Sequence, residues 1–159
     1  MVFTIVVIGI LAKFAIPKLL PAATMTLQPQ AQSMRDVIRR AQSLAMTRGQ
    51  PMRVTVSAAA SSVSVACATV SCTTDASFIA TQGVRVGSGS ATIDFNTLGQ
   101  PVGSSSRSAS NPSGTSISAP ATFTVSYNNS GLSYCSKYVV TVAPNTGQVS
   151  QPAASTPCP

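Results

Sequence analysis

Chemistry in this chain has few side chains to work with. Asp36, Asp75 and Asp94 are the only acids, Lys13, Lys18 and Lys137 the only lysines, and there is no His and no Glu. General acid–base catalysis needs a group that titrates near neutral pH, usually a His or one of two paired carboxylates. Ser is abundant, but no His is present to activate it. The residue types therefore speak against an enzyme, and no catalytic, metal or cofactor-binding set can be put together from them.

The four cysteines fall as two local pairs, Cys67/Cys72 and Cys135/Cys158. Four cysteines allow three connectivities, and spacing alone does not select one. Nearest-neighbour pairing is the reading adopted, with an oxidising, extracytoplasmic compartment as its corollary. On loop entropy the longer closure would stabilise by roughly 3 kcal/mol and the shorter by about 2 kcal/mol. Zinc is the competing reading, but the spacing is not the usual two-residue one and no His assists.

A formal charge of +7 raises the question of nucleic acid. The charge reflects scarce acids rather than a dense basic tract. Arg35, Arg39, Arg40 and Arg48 share one predicted helix, for which a solvated face is the better reading. Arg85, Arg107 and Lys137 are scattered, and residues 138–159 contain no Lys or Arg. Nucleic acid is thus a conceivable partner that the charge pattern does not favour.

These residues must be positioned by a chain with two unlike halves. Met1 to Leu20 is polar only at Thr4, Lys13 and Lys18. As a helix this segment would span about 30 Å, the thickness of a hydrocarbon core. It lacks the basic start and small-residue cleavage site of a signal peptide. Its twelve Val, Ile, Leu and Phe residues favour insertion by about 4–7 kcal/mol, and a central lysine opposes it by about 3 kcal/mol. Lys18 can snorkel from near the end, whereas Lys13 has less freedom to do so. The segment can enter a membrane but makes a poor permanent anchor.

In the next stretch Met34, Val37, Ile38, Ala41, Leu44 and Ala45 form the apolar stripe of an amphipathic helix. Ser33 is placed to cap it, Gly49 and Pro51 to stop it, and Pro29 to break or kink any continuous helix through Gln28. From Met52 the period becomes two: MRVTVS, SVSVAC, GVRV, ATIDF, TFTVSY and SKYVVTVA read as strands. YNNSGL and APNTGQV carry the turn chemistry of two late hairpins. Residues 103–118 read as a loop, and the final QPAASTPCP as irregular. The expected organisation is a helical part, 1–49, divided into a hydrophobic 1–20 and an amphipathic 21–49, followed by an antiparallel β domain, 50–159. The fold class is α+β, one interrupted helix laid on an antiparallel sheet. Asn128 opens an N-glycosylation sequon, and Ser104, Ser105 and Ser106 lie in the tract best suited to O-linked sugars, although an unmodified loop is the simpler reading.

The stretch VVIGILAKFAIP resembles the N-terminal helix of type IV pilins and pseudopilins, with Gly9, Ile10 to Ala12 and Pro17 in the family's register. RRAQSLAMTRGQPMRVTV, IDFNTLGQPVG and VAPNTGQV resemble its GspH/FimT-like branch more loosely. The resemblance touches about half the chain and implies the pilin fold, a hydrophobic helix packed on a β-sheet head. It implies that Val2, Phe3, Ile5, Val6, Val7, Ile8, Gly9, Ile10, Leu11, Phe14, Ile16 and Pro17 form the membrane helix and later the filament core. Gly9 and Pro17 bracket the part where helical bonding is weakest, since Gly costs about 1 kcal/mol in a helix and Pro about 3 kcal/mol.

By the same resemblance Cys135–Cys158 closes a C-terminal loop, and Cys67–Cys72 would pin a strand connection. The implied partners are copies of the chain, a prepilin peptidase and an inner-membrane assembly machinery with a cytoplasmic ATPase. The implied location is the bacterial inner membrane and then an extracellular filament, and no cofactor is implied. The alternatives are a minor pseudopilin of type II secretion and a DNA-uptake minor pilin. Met1 falls at about the sixth position of a mature pilin, so a leader and the family's methylated N-terminus are expected upstream. Lys13 departs from the family pattern.

Overall fold

The computed structural model describes residues 22–68, 76–80, 84–88, 92–104, 114–129 and 134–155. Among the described residues one helix, α1 (Ala22–Arg48), precedes nine strands: β1 (Met52–Ser57), β2 (Ser62–Cys67), β3 (Ala76–Ile79), β4 (Val84–Ser88), β5 (Thr92–Phe95), β6 (Pro101–Val102), β7 (Ala121–Asn129), β8 (Tyr134–Val142) and β9 (Ala153–Ser155). The strands form two antiparallel sheets, not one. The first is ordered β3-β2-β1-β5-β6 and the second β4-β7-β8-β9.

The helix forms where the 3.6-residue period puts apolar side chains on one edge. Leu27, Ala31, Met34, Ile38, Ala41 and Ala45 are fully buried, and Val37 and Leu44 flank them half-buried. The seam thus begins earlier than the predicted stripe, and two expectations fail together. Pro29 does not interrupt the helix, and Ser33 does not cap it. Instead the Ser33 hydroxyl donates to the Pro29 carbonyl at 3.0 Å, a local bond within the helix. A proline in a helix interior costs about 3 kcal/mol. Leu27 and Ala31 are buried on either side of it, and a buried Leu alone contributes about 1.5–3 kcal/mol. Packing therefore overrides local propensity. At the other end Gly49 adopts φ +59°, the left-handed C-terminal stop anticipated for it.

Alternation along β1 and β2 sends every second side chain inward, as period two requires. The register aligns these side chains into rows across the first sheet: Phe78–Val63–Val56, then Val65–Val54–Ile93, then Cys67–Met52–Phe95. In the second sheet Val86 pairs with Val125, Phe123 with Val140 and Ala121 with Val142. The inward residues of both sheets and the α1 seam form one cluster.

β7 and β8 pair from Ala121↔Val142 to Asn129↔Tyr134 as the expected hairpin. The second turn also forms: Asn145 and Gly147 take φ +63° and +71°, and Val142 bridges to Val149. Three short strands lacked a readable period. β3, β6 and β9 have four, two and three residues. Part of the tail read as irregular is β9, held by Lys137–Val139. The far side of the tract read as a loop is also paired, Ser116 bridging to Val102.

Pro29 is exposed while its neighbours are packed, so Pro29→Ala should raise the stability of the full chain by about 1–3 kcal/mol, read from urea unfolding. A loss of stability would contradict a helix running through this position.

Candidate assembly surface

Across from its seam, α1 presents a polar face on which Gln32, Asp36, Arg39, Arg40, Ser43 and Thr47 are exposed. Arg48 is also exposed, at the last turn. Arg35 is half-buried, and its Nε is enclosed without a hydrogen-bond partner among the described residues. Within the described residues no helix is long and apolar enough to cross a membrane, and no three His, Cys, Asp or Glu side chains cluster to hold a metal.

Near the C-terminal end of α1 two turns meet the helix. In the first, the Asn96 side chain accepts from the backbone N–H groups of Leu98 and Gln100 at 3.0 and 2.9 Å and donates to Gln100 Oε1 at 3.1 Å. The Gly99 N–H donates to the Asn96 carbonyl at 2.9 Å, with Gly99 at φ +75°. A nearly buried Asn can afford burial because each polar atom is bonded. The turn displays Leu98, 73% exposed, and Gly99 lies against Met46, itself 49% exposed. From the helix, Gln42 Nε2 donates to the carbonyls of Gly99 and Thr146 at 3.0 and 3.4 Å. Gly147 completes the contact: a Cβ there would run into the Gly99 carbonyl oxygen.

On the outer face of the first sheet, Arg53 and Asp94 pair directly across β1 and β5. Arg53 Nε and one terminal nitrogen donate to the two carboxylate oxygens at 2.8 and 3.1 Å. Asp94 is fully buried and the Arg53 side chain is 36% exposed. The hydrogen bond with Asp94 raises the guanidinium pKa further above its ordinary value, against a burial effect that lowers it. A raised pKa on a cation means its stabilisation is present below that pKa and lost as pH rises through it, in strong alkali for a guanidinium.

The membrane and filament residues expected from Val2 to Pro17, with the Gly9 and Pro17 bracket, lie outside the described residues. So do Cys72, Cys158, Ser105, Ser106, Arg107 and Lys13. Cys67, at the end of β2, is in a disulfide. Cys135 sits in β8 opposite Asn128 of β7, so the sequon begins in a strand. Ser104 is half-buried and its hydroxyl accepts from Thr92 at 3.0 Å. Arg85 and Lys137, scattered in sequence, share one row of the second sheet through Ser126. They stand two strands apart, about 10 Å. Gln42, Asn96, Gly99 and Gly147 were not singled out from sequence. Their signal was the Asn-Thr-Leu-Gly and Asn-Thr-Gly turn chemistry inside IDFNTLGQPVG and VAPNTGQV.

The sequence matches no protein-family model and no curated protein. Among solved structures the fold is similar to the type IV minor pilin FimU of Pseudomonas aeruginosa. The TM-score is 0.58 at 11% identity, over 86% of this chain and 97% of that one. A second crystal form of FimU gives 0.55 at 14% identity, over 83% and 99%. The minor pseudopilin EpsH from the Type 2 Secretion System of Vibrio cholerae gives 0.54 at 12% identity, over 80% and 96%. At such identities the likeness is one of fold: a single N-terminal helix on antiparallel sheets.

The meeting of the turns generates a direct test. Gly147→Ala should cost at least about 2 kcal/mol, since it adds a left-handed strain of about 1–2 kcal/mol to a backbone collision. Gln42→Ala should cost about 1–2 kcal/mol for two lost bonds. Equilibrium unfolding reads both, and equal, negligible losses would contradict the arrangement.

Proposed function

We propose that this chain is a pilin-type structural subunit that polymerises through its hydrophobic N-terminal helix into a type IV pilus or a related extracellular filament. The observation that carries the reading is the fold likeness to a minor pilin, which spans 97% of that protein's chain. The apolar run ahead of Ala22 agrees with it, because a pilin fold is led by such a helix.

In this reading the segment from Val2 to Pro17 waits in the inner membrane and then exchanges lipid contacts for contacts with neighbouring copies. Both environments are apolar, so the exchange changes little in hydrophobic energy and is decided by packing. Lys13 weakens membrane retention, and Gly9 and Pro17 loosen the helix between them. The head needs no cofactor, and a prepilin peptidase and an inner-membrane platform process and extract the subunit. Cys67–Cys72 and Cys135–Cys158 close two loops of the head. The second reading is a minor pseudopilin of type II secretion, favoured by the likeness to EpsH.

Filaments sheared from the producing cells, viewed by electron microscopy and analysed by intact mass, test the reading. Long fibres containing this chain are expected, the subunit being identified in them by its mass. Ile10→Asp should abolish fibres while leaving the head folded, since a charge at a helix centre costs about 3 kcal/mol in the membrane. If the chain stays monomeric in the membrane fraction and enters no fibre, the pilus reading fails and a pseudopilin role takes its place.

A further inference from the structure

Where the chain passes from the first sheet to the second, a cavity of about 460 Å³ opens between the start of β5, the end of β6 and residues 115–121. The crossing segment is fixed on one side. Gly103 N–H donates to the Thr115 carbonyl and Ile117 N–H to the Pro101 carbonyl, each at 3.2 Å. On the other side Ala121 begins β7. The described walls of the cavity thus belong to the joint between the two sheets.

Its chemistry is unusual for so basic a chain. Among the described residues that line it, none is charged and none is aromatic. Thr92, Ser104, Ser116 and Ser118 supply hydroxyls, and Val102 and Ile117 supply apolar surface between them. Thr92 donates to Ser104 at 3.0 Å, which leaves the Ser104 hydrogen to donate onward. Hydroxyls both donate and accept, so they suit a ligand whose own groups do the same. Among the described lining residues an ionic ligand would find no countercharge, and a planar heterocycle no ring to stack on. The volume lies in the usual range for small-molecule sites, about 300–1,000 Å³.

We propose that this cavity binds a neutral carbohydrate, one or two sugar rings, whose hydroxyls meet the Thr92–Ser104 pair and whose C–H faces lie on Val102 and Ile117. No aromatic platform stands among the described lining residues, so weak binding of a single ring is expected and the test is made at millimolar concentration. The site is a property of the head and stands or falls apart from the filament reading.

The test uses the full chain in a detergent without a sugar headgroup, observed by saturation-transfer NMR. The probes are methyl glycosides of glucose, galactose, mannose and N-acetylglucosamine, with N-acetylneuraminic acid and a Gly-Ser tetrapeptide alongside. Transfer to at least one neutral glycoside is expected. Thr92→Val keeps the shape but loses the hydroxyl and should weaken binding about tenfold or more. If that variant does not fold by circular dichroism, Thr115→Val on the exposed rim replaces it and should weaken binding measurably. No transfer to any neutral glycoside at millimolar concentration would overturn the proposal. So would binding unaffected in the folded variant, or saturation by the acid or the peptide in place of the glycosides.

Discussion

Both sheets depend on one edge of one helix. The six fully buried side chains of α1, from Leu27 to Ala45, belong to the same cluster as the inward rows of the first sheet and the β7–β8 pair of the second. Described strands of the two sheets share no ladder, so the helix is what they pack on in common. Leu27, Met34 and Ile38 are the large side chains of this seam, and truncating one removes contacts from the shared core. Core truncations of this kind cost about 2–5 kcal/mol.

Two polar devices refine that packing without replacing it. The Gln42 side chain joins the helix to a turn of each sheet region, and Gly99 and Gly147 allow those turns to touch. The Arg53–Asp94 pair works differently, by giving a buried carboxylate two donors on the neighbouring strand. Breaking such a pair by removing one partner leaves a charge uncompensated, which costs far more than the intact pair contributes.

How much of this was readable in the residues follows from what each element is made of. β1 and β2 alternate over six residues each, and their bounds are legible to the residue. The seam is legible from Met34 onward because four of its members recur at helical spacing. Its first part is not, because Pro29 is a strong local signal that tertiary packing outweighs. β3, β6 and β9 are too short to show a period, and their identity comes from the strands beside them. The division into two sheets is invisible in any single segment, since it depends on which strands pair. Of the candidate surface, the Asn145–Gly147 turn is legible in APNTGQV, the Asn96–Gly99 turn is not, and their meeting with Gln42 spans 104 and 57 residues of separation.

The continuity of α1 through Pro29 has a mechanical consequence. The seam runs from Leu27 to Ala45, about 27 Å along the helix. A pull applied at Ala22 along the helix axis loads that whole length in shear, so its contacts resist together. A helix broken at Pro29 would leave Leu27 on a separate lever, and its contacts would peel away before the rest bore any force. The head is therefore gripped as a pin is gripped in a sleeve, and its resistance to extraction scales with the length of the seam rather than with its weakest contact.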